Sequence, residues 1–277
     1  MRQVISLEEL REARAGLPGR LGFVPTMGFL HAGHISLVEL AKRDCDSVAV
    51  SIFVNPTQFG PNEDLAAYPR DLPGDLSKLE AAGVDLVWLP TPEVIYPPGY
   101  STWVDVEGVS EPLEGAARPG HFRGVATVVA TLFNAVQPRK AYFGQKDAQQ
   151  VAVIKQMARD LNFPIDIVVG PTLREADGLA MSSRNTYLNP TERQAATAVF
   201  RALQGAKQTY AAGERDAEVL RAIMRAAIQA EPLAQVIYVS CAHPRTLQEL
   251  KRVEHGALLS MAVRIGKTRL IDNVRLD

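Results

Sequence analysis

Apolar positions along the chain fall into two regimes. From about residue 21 to 170, short near-continuous apolar runs alternate with segments whose apolar residues recur every three or four positions. The runs at 21–25 (LGFVP), 47–54 (SVAVSIFV), 84–89 (VDLVWL), 141–143 (AYF) and 164–169 (PIDIVV) read as strands. Their lack of polar alternation is what parallel strands covered on both faces require. Between them, 34–43, 74–82, 124–136 and 147–161 read as helices. In 124–136 the residues Val125, Val128, Val129, Leu132, Phe133 and Val136 form one apolar stripe. Strands alternating with helices predict βαβ units and an α/β fold built on a doubly wound parallel sheet, with ligands bound outside the carboxyl ends of the strands.

After about residue 172 the pattern changes. Asn189, Pro190 and Glu192 combine a capping side chain, a proline suited to the first helical position and the partner of a capping box. They predict a long alanine-rich helix running to about Ala212, followed by a second over 216–230. Strand-like runs at 235–240, 258–265 and 268–274 close the chain, with Gly266-Lys267 as a hairpin turn. The expected division is therefore 1–172, a nucleotide- and substrate-binding domain, and 173–277, a smaller α+β domain acting as a lid.

Composition removes several function classes. At 277 residues and 47% apolar content the chain can bury a sizeable core, and a formal charge of −1 marks neither a nucleic-acid binder nor a membrane-surface binder. Cys45 and Cys241 are far apart and form no CxxC pair, which argues against a disulfide framework or structural zinc and suits a reducing compartment. No apolar run approaches the roughly 18 residues of a membrane span, and 1–16 lacks the apolar stretch of a secretory signal. A cytoplasmic protein is expected.

Four segments carry candidate chemistry, and the first three fall at predicted strand ends. In the first, Met27, Gly28, Phe29, Leu30, His31, Ala32, Gly33 and His34 lead from a strand into a helix, where free backbone N–H groups and the helix dipole favour an anion. His31 and His34, three apart, can lie on one side of the opening turn and donate to phosphate oxygens. The bland alternative is a pair of capping or buried histidines, and zinc is disfavoured for want of a third ligand. The second segment, Asn55-Pro56-Thr57-Gln58, places two amides at the same edge, suited to a substrate with hydroxyls and a carboxylate, although a plain turn explains it equally. In the third, Gly144, Gln145, Lys146, Asp147 and Gln150 offer a point charge for phosphate, a cap and an amide one turn into the next helix. In the fourth, at the junction, Met181, Ser182, Ser183 and Arg184 offer hydroxyls and a guanidinium to a triphosphate. Taken singly, the second, third and fourth segments are each weak.

Together and in this order, with the stretches SIFVNPTQFGPNEDLAAYPRD at 51–71, RPGHFRGVATVV at 118–129 and READGLAMSSRN at 174–185, they resemble the pantothenate synthetases. That family is an adenylating branch of the HIGH-motif nucleotidyltransferases, with a Rossmann-like fold. The resemblance covers nearly the whole chain. A lone HxGH leaves several nucleotidyltransferases open, among them one that makes a dinucleotide, and a non-catalytic nucleotide sensor is a further alternative.

The resemblance implies an ATP-dependent ligase that joins pantoate to β-alanine through a pantoyl adenylate, with Mg²⁺ accompanying ATP and a homodimeric assembly. It implies that Met27–His34, Gly144–Asp147, Leu173 and Met181–Arg184 bind ATP, with His34 in a proton-donor role. Gln58 and Gln150 match the glutamines that hold pantoate, with Asn55 beside them, and Asp75 matches a magnesium contact. Gln145 stands where a glutamate is common, a change of little expected consequence. A carboxylate attacking a polyanion needs positive charge more than a base, and Lys146, Arg184, Mg²⁺ and both histidines are expected to supply it.

Overall fold

The structure is a computed structural model, describing residues 1–61 and 63–277. Its first part runs β1 (Arg2–Val4), α1 (Leu7–Ala15), β2 (Leu21–Thr26), α2 (Ala32–Asp44), β3 (Ser47–Ile52), α3 (Leu72–Ala81), β4 (Leu86–Trp88), α4 (Pro92–Ile95), α5 (Glu114–Ala117), α6 (His121–Val136), β5 (Lys140–Gly144), α7 (Ala148–Asp160) and β6 (Asp166–Gly170). The six strands pair in the order β1-β4-β3-β2-β5-β6, every ladder parallel. Along β2, Phe23 and Val24 are both fully buried but belong to different clusters, Phe23 with Phe133 and Ile154, Val24 with Val38 and Leu79. Helices cover both faces, which is why the strands read as unbroken apolar runs.

Strand order reverses between β2 and β5, the place where a doubly wound sheet opens a crevice. The motif segments after β2, β3 and β5 all leave from carboxyl ends of strands, as does the stretch beyond β6 that carries Leu173. The expected α/β fold with a parallel sheet is therefore present.

The remainder forms α8 (Pro190–Ala195), α9 (Thr197–Ala211), α10 (Ala217–Gln229) and an antiparallel sheet of β7 (Ala234–Ala242), β8 (Ala257–Ile265) and β9 (Thr268–Leu276). It has its own core around Leu203, Leu220, Met224 and Met261. Asn189 and Glu192 form the capping box that the sequence implies, and Gly266-Lys267 makes the hairpin turn between paired Ile265 and Thr268. The single long helix expected from Asn189 to Ala212 is instead α8 and α9, divided at Ala196. The chain's first elements, β1 and α1, were not among the expected ones. Three strand residues and a charged helix give little periodicity, though Ser6 and Glu9 form a capping box there. Among the described residues, no helix is long and apolar enough to cross a membrane.

One close approach sets the floor of the cleft. The backbone of α6 packs so near the turn after β3 that a Cβ on Gly124 would lie 2.4 Å from the Thr57 carbonyl oxygen and 2.8 Å from the Gln58 nitrogen. Asn55 bonds the Gly124 carbonyl from the same turn, at 3.1 Å. Gly124→Ala is expected to destabilise the protein by about 1–3 kcal/mol, as overpacking does, measured by denaturant unfolding. A neutral effect would show that the turn is free to shift.

Candidate active site

A cleft of about 1040 Å³ opens at the carboxyl edge of the parallel sheet, and residues of β8 and β9 line its far side. It receives Met27, His31, Gly33 and His34 from the β2–α2 junction, Asn55 and Gln58 from the turn after β3, Gly144, Lys146, Asp147 and Gln150 from the β5–α7 junction, and Leu173 with Met181–Arg184 beyond β6. Phe53, Val125, Val128, Val129, Leu132 and Phe143 give it an apolar wall. The four sequence segments, far apart in the chain, therefore converge on one cavity.

The opening of α2 is closed by its own side chains. His31 is the N-cap: its Nδ1 accepts from Gly33 N–H at 3.1 Å, while Nδ1 of His34 accepts from His31 N–H at 3.2 Å. The two imidazoles form a reciprocal capping box, 4.1 Å between ring centroids. A Cβ on Gly33 would come within 3.0 Å of the His31 ring, so a glycine is needed for this cap. The preceding N–H groups are also taken, Phe29 and Leu30 donating to the two oxygens of Asp75 at 2.7 and 2.6 Å. The expectation of free backbone donors for an anion is thus corrected at these four groups. The capping role of both histidines is present, and both residues also line the cleft.

The caps also decide the protonation. An imidazole nitrogen that accepts from a backbone N–H carries no proton, so in each neutral ring the proton sits on Nε2, which becomes a donor. Burial, then the charge of Lys146, lowers the His31 pKa to about 4, and burial, then His31, lowers that of His34 to about 3. At neutral pH both rings are uncharged donors. This corrects the expectation that they bring positive charge.

Asp75 also has a different place from the one expected. It is 1% exposed, its carboxylate lies beneath the 28–30 backbone, and Lys78 is 3.9 Å away. With both oxygens engaged by backbone N–H groups, this geometry does not offer it to magnesium. Among the described residues no group of three or more histidine, cysteine, aspartate or glutamate side chains is arranged to hold a metal ion. Gly28, Phe29, Leu30 and Ala32 do not line the cleft: Leu30 is in the core, Ala32 faces solvent, and Phe29 offers its carbonyl to Ser183 Oγ at 3.3 Å.

Two amides are positioned in different ways. Asn55 is 1% exposed and fully used: Nδ2 donates to Gln58 Oε1 at 3.2 Å and to Gly124 O, while Oδ1 accepts from Tyr96 OH at 2.8 Å and from Thr57. It orients Gln58, whose Nε2 is left pointing toward Met27 Sδ. Gln150 lines the cleft, whereas its neighbour Gln149 is buried and clamps the 109–114 backbone. Gln145 turns away from the cleft. Its Nε2 donates to Asn273 Oδ1 at 3.0 Å, and Asn273 Nδ2 returns bonds to the carbonyls of Gln145 and Lys146. The residue therefore ties the Lys146 turn to β9, and a glutamate there would lose the donor that makes the first of these bonds.

The cleft lining also includes Glu63, Asp64, Glu114, Arg118, Tyr187 and Arg269, to which the sequence alone assigned no role. Asp64 meets Arg184 Nε and Nη2 at 3.1 and 3.0 Å, with Tyr187 OH on the same carboxylate. Arg118 meets Glu63, and Glu114 is held by Arg269 of β9. Arg118 and His121 lie in the RPGHFRG stretch, whose charge and glycines were visible but whose partners, 55 and 63 residues away, were not.

The chain matches the Pantoate-beta-alanine ligase family over residues 1–275. It is 63% identical to the pantothenate synthetase of Herpetosiphon aurantiacus over 99% of each chain, and 63% identical to that of Chloroflexus aurantiacus over 100% of this chain and 99% of the relative. Among solved structures it superposes on the pantothenate synthetase of Thermus thermophilus with a TM-score of 0.95 at 48% identity, covering 99% of each chain. It also superposes on the pantoate-beta-alanine ligase of Francisella tularensis, complexed with beta-gamma ATP and beta-alanine, with a TM-score of 0.82 at 37% identity, covering 99% and 97%. The chain belongs to the pantoate-beta-alanine ligase family, and its activity is the ATP-dependent condensation of pantoate with β-alanine.

Proposed function

We propose that the cleft performs this condensation in two steps. The carboxylate of pantoate attacks the α-phosphorus of ATP, forming pantoyl adenylate and releasing pyrophosphate. The amine of β-alanine then attacks the acyl carbon, the bond to AMP breaks, and the amide of pantothenate forms. The observation that carries this reading is the pair of Nε2–H donors fixed by the capping box, facing the same cavity as Lys146. Such donors, held in place before the reaction, stabilise charge that develops at phosphorus without reorganising.

Each remaining group has a place in the reading. Lys146, 3.6 Å from Asp147, brings the positive charge that the neutral imidazoles do not. Gln58 and Gln150 suit the hydroxyls and carboxylate of pantoate, and the wall of Val125, Val128, Val129 and Leu132 suits its two methyl groups. Leu173 and Met181–Arg184 receive the nucleotide, and Arg184 must leave Asp64 to meet phosphate. Among the described residues no three or more histidine, cysteine, aspartate or glutamate side chains are arranged as a metal site; magnesium would come with the phosphates of ATP, whose charge it would help neutralise. The β7–β9 part is read as a lid that closes over ATP and keeps water from the mixed anhydride. The protein is read as a cytosolic homodimer, and its two unpaired cysteines support a reducing compartment.

The reaction is tested by pantoate-dependent exchange of pyrophosphate into ATP without β-alanine, followed by AMP and pantothenate when β-alanine is added. Absence of exchange in protein that binds ATP would contradict the adenylate route. His34→Asn separates cap from donor, since asparagine Oδ1 can replace Nδ1 as acceptor while its amide N–H groups sit on a shorter side chain and fall short of the position of Nε2–H. It is expected to keep the melting temperature near the wild-type value and to lower turnover by about 10²–10³-fold. An active His34→Asn enzyme would reduce His34 to a cap. Lys146→Ala is expected to lower kcat/KM for ATP by about 10²–10⁴-fold in steady-state assays, while the fold is retained.

A further inference from the structure

The guanidinium of Arg118 lines the cleft beside the turn that carries Gln58. Nε and Nη2 meet the two oxygens of Glu63 at 2.6 and 2.5 Å, Nη2 also reaches the Gln58 carbonyl at 3.2 Å, and Nη1 lies 3.0 Å from His121 Nε2. His121 Nδ1 is 2.8 Å from the same Gln58 carbonyl, an acceptor, so Nδ1 carries the proton and Nε2 accepts from Arg118. Burial, then Arg118 itself, lowers the His121 pKa to about 4, so the ring that aims the guanidinium adds no charge to the site.

The counter-charge of Arg118 comes from a loop. Glu114 is 4.0 Å away, but both its oxygens are taken by Arg269. Glu63 belongs to the irregular stretch between β3 and α3, and its neighbour Asp64 fills the fork of Arg184. Two adjacent carboxylates of one loop thus occupy two arginine forks that face a cavity built for anions.

Of the anionic groups in the reaction, the triphosphate and the pantoate carboxylate change their bonding. A bidentate arginine on the attacking carboxylate would engage the lone pairs that it must use. The carboxylate of β-alanine passes through unchanged, and in a cleft closed to water it needs a fixed partner throughout. We propose that Arg118 is the receptor for the carboxylate of β-alanine, and that Glu63 occupies its fork until the amino acid displaces it. The two methylenes of β-alanine set its nitrogen about 4 Å from its carboxyl carbon, and Arg118 bonds the backbone carbonyl of Gln58, the residue whose side chain holds the acyl group in this reading. The assignment rests on the condensation reaction and on Gln58 facing the acyl group.

Arg118→Gln and Arg118→Lys separate this role from others when both half-reactions are followed. Pantoate-dependent pyrophosphate–ATP exchange without β-alanine is expected to stay within about threefold of wild type in both variants, showing an intact fold and adenylation site. The KM for β-alanine is expected to rise about 100-fold or more in Arg118→Gln, and less in Arg118→Lys. The preference of wild type for β-alanine over propylamine, which keeps the amine and lacks the carboxylate, is expected to collapse in Arg118→Gln. Glu63→Gln, which removes the competitor, is expected to lower the KM for β-alanine several-fold. Exchange that falls in step with the overall rate, or an unchanged β-alanine-to-propylamine ratio, would overturn the assignment. An unchanged or raised KM in Glu63→Gln would overturn the role of Glu63. Loss of exchange in wild type would instead remove the adenylate route, a distinct failure.

Discussion

Backbone N–H groups at the mouth of a buried helix must find acceptors, and here they find them inside the chain. Phe29 and Leu30 use Asp75, His31 uses His34, and Gly33 uses His31. The consequence reaches beyond local stability. By accepting at Nδ1, each imidazole is held in orientation and in tautomer, so its Nε2–H points outward as a donor. The backbone anion site usual at a helix N-terminus is closed here, and in the proposed reading the two side chains take its place. Asp75 and Gly33 support those side chains from behind, and neither needs to touch substrate to matter.

Three arginines of the cleft are held in ion pairs. Arg184 rests on Asp64, Arg118 on Glu63 and Arg269 on Glu114. Buried or half-buried guanidinium groups without such partners would carry a large desolvation cost. In the proposed reading, the loop carboxylates set a threshold that an anionic substrate must exceed. The connection between Asn273 and the carbonyls of Gln145 and Lys146 ties the Lys146 turn to β9.

Much of this was legible in the sequence, for definable reasons. The unbroken apolar runs at Leu21–Thr26 and Ser47–Ile52 announce a sheet covered on both faces, and the Asn189–Glu192 box announces a helix start. The convergence of the first three segments followed from their places at strand ends. What stayed hidden was set by distant partners. Asp75 looks like a metal-binding acid until the N–H groups of Phe29 and Leu30, 46 and 45 residues away, are seen to claim it. Gln145 looks like part of the nucleotide loop until Asn273, 128 residues on, turns it away. The charge state of the histidines was also out of reach, because burial and the capping bonds decide it.

Nitrogen-15 NMR of the His31 and His34 imidazoles in the free protein, followed from about pH 5.5 to 8.5, tests the cap-as-donor arrangement most directly. Burial depresses both pKa values, so the neutral rings contribute stability above about pH 6.5 that is lost as the pH falls toward 4. The expected spectra show both rings neutral across this range, with the proton on Nε2 and Nδ1 bare. A ring that titrates near pH 6.5, or carries its proton on Nδ1, would contradict the arrangement and return the histidines to their expected role as cations.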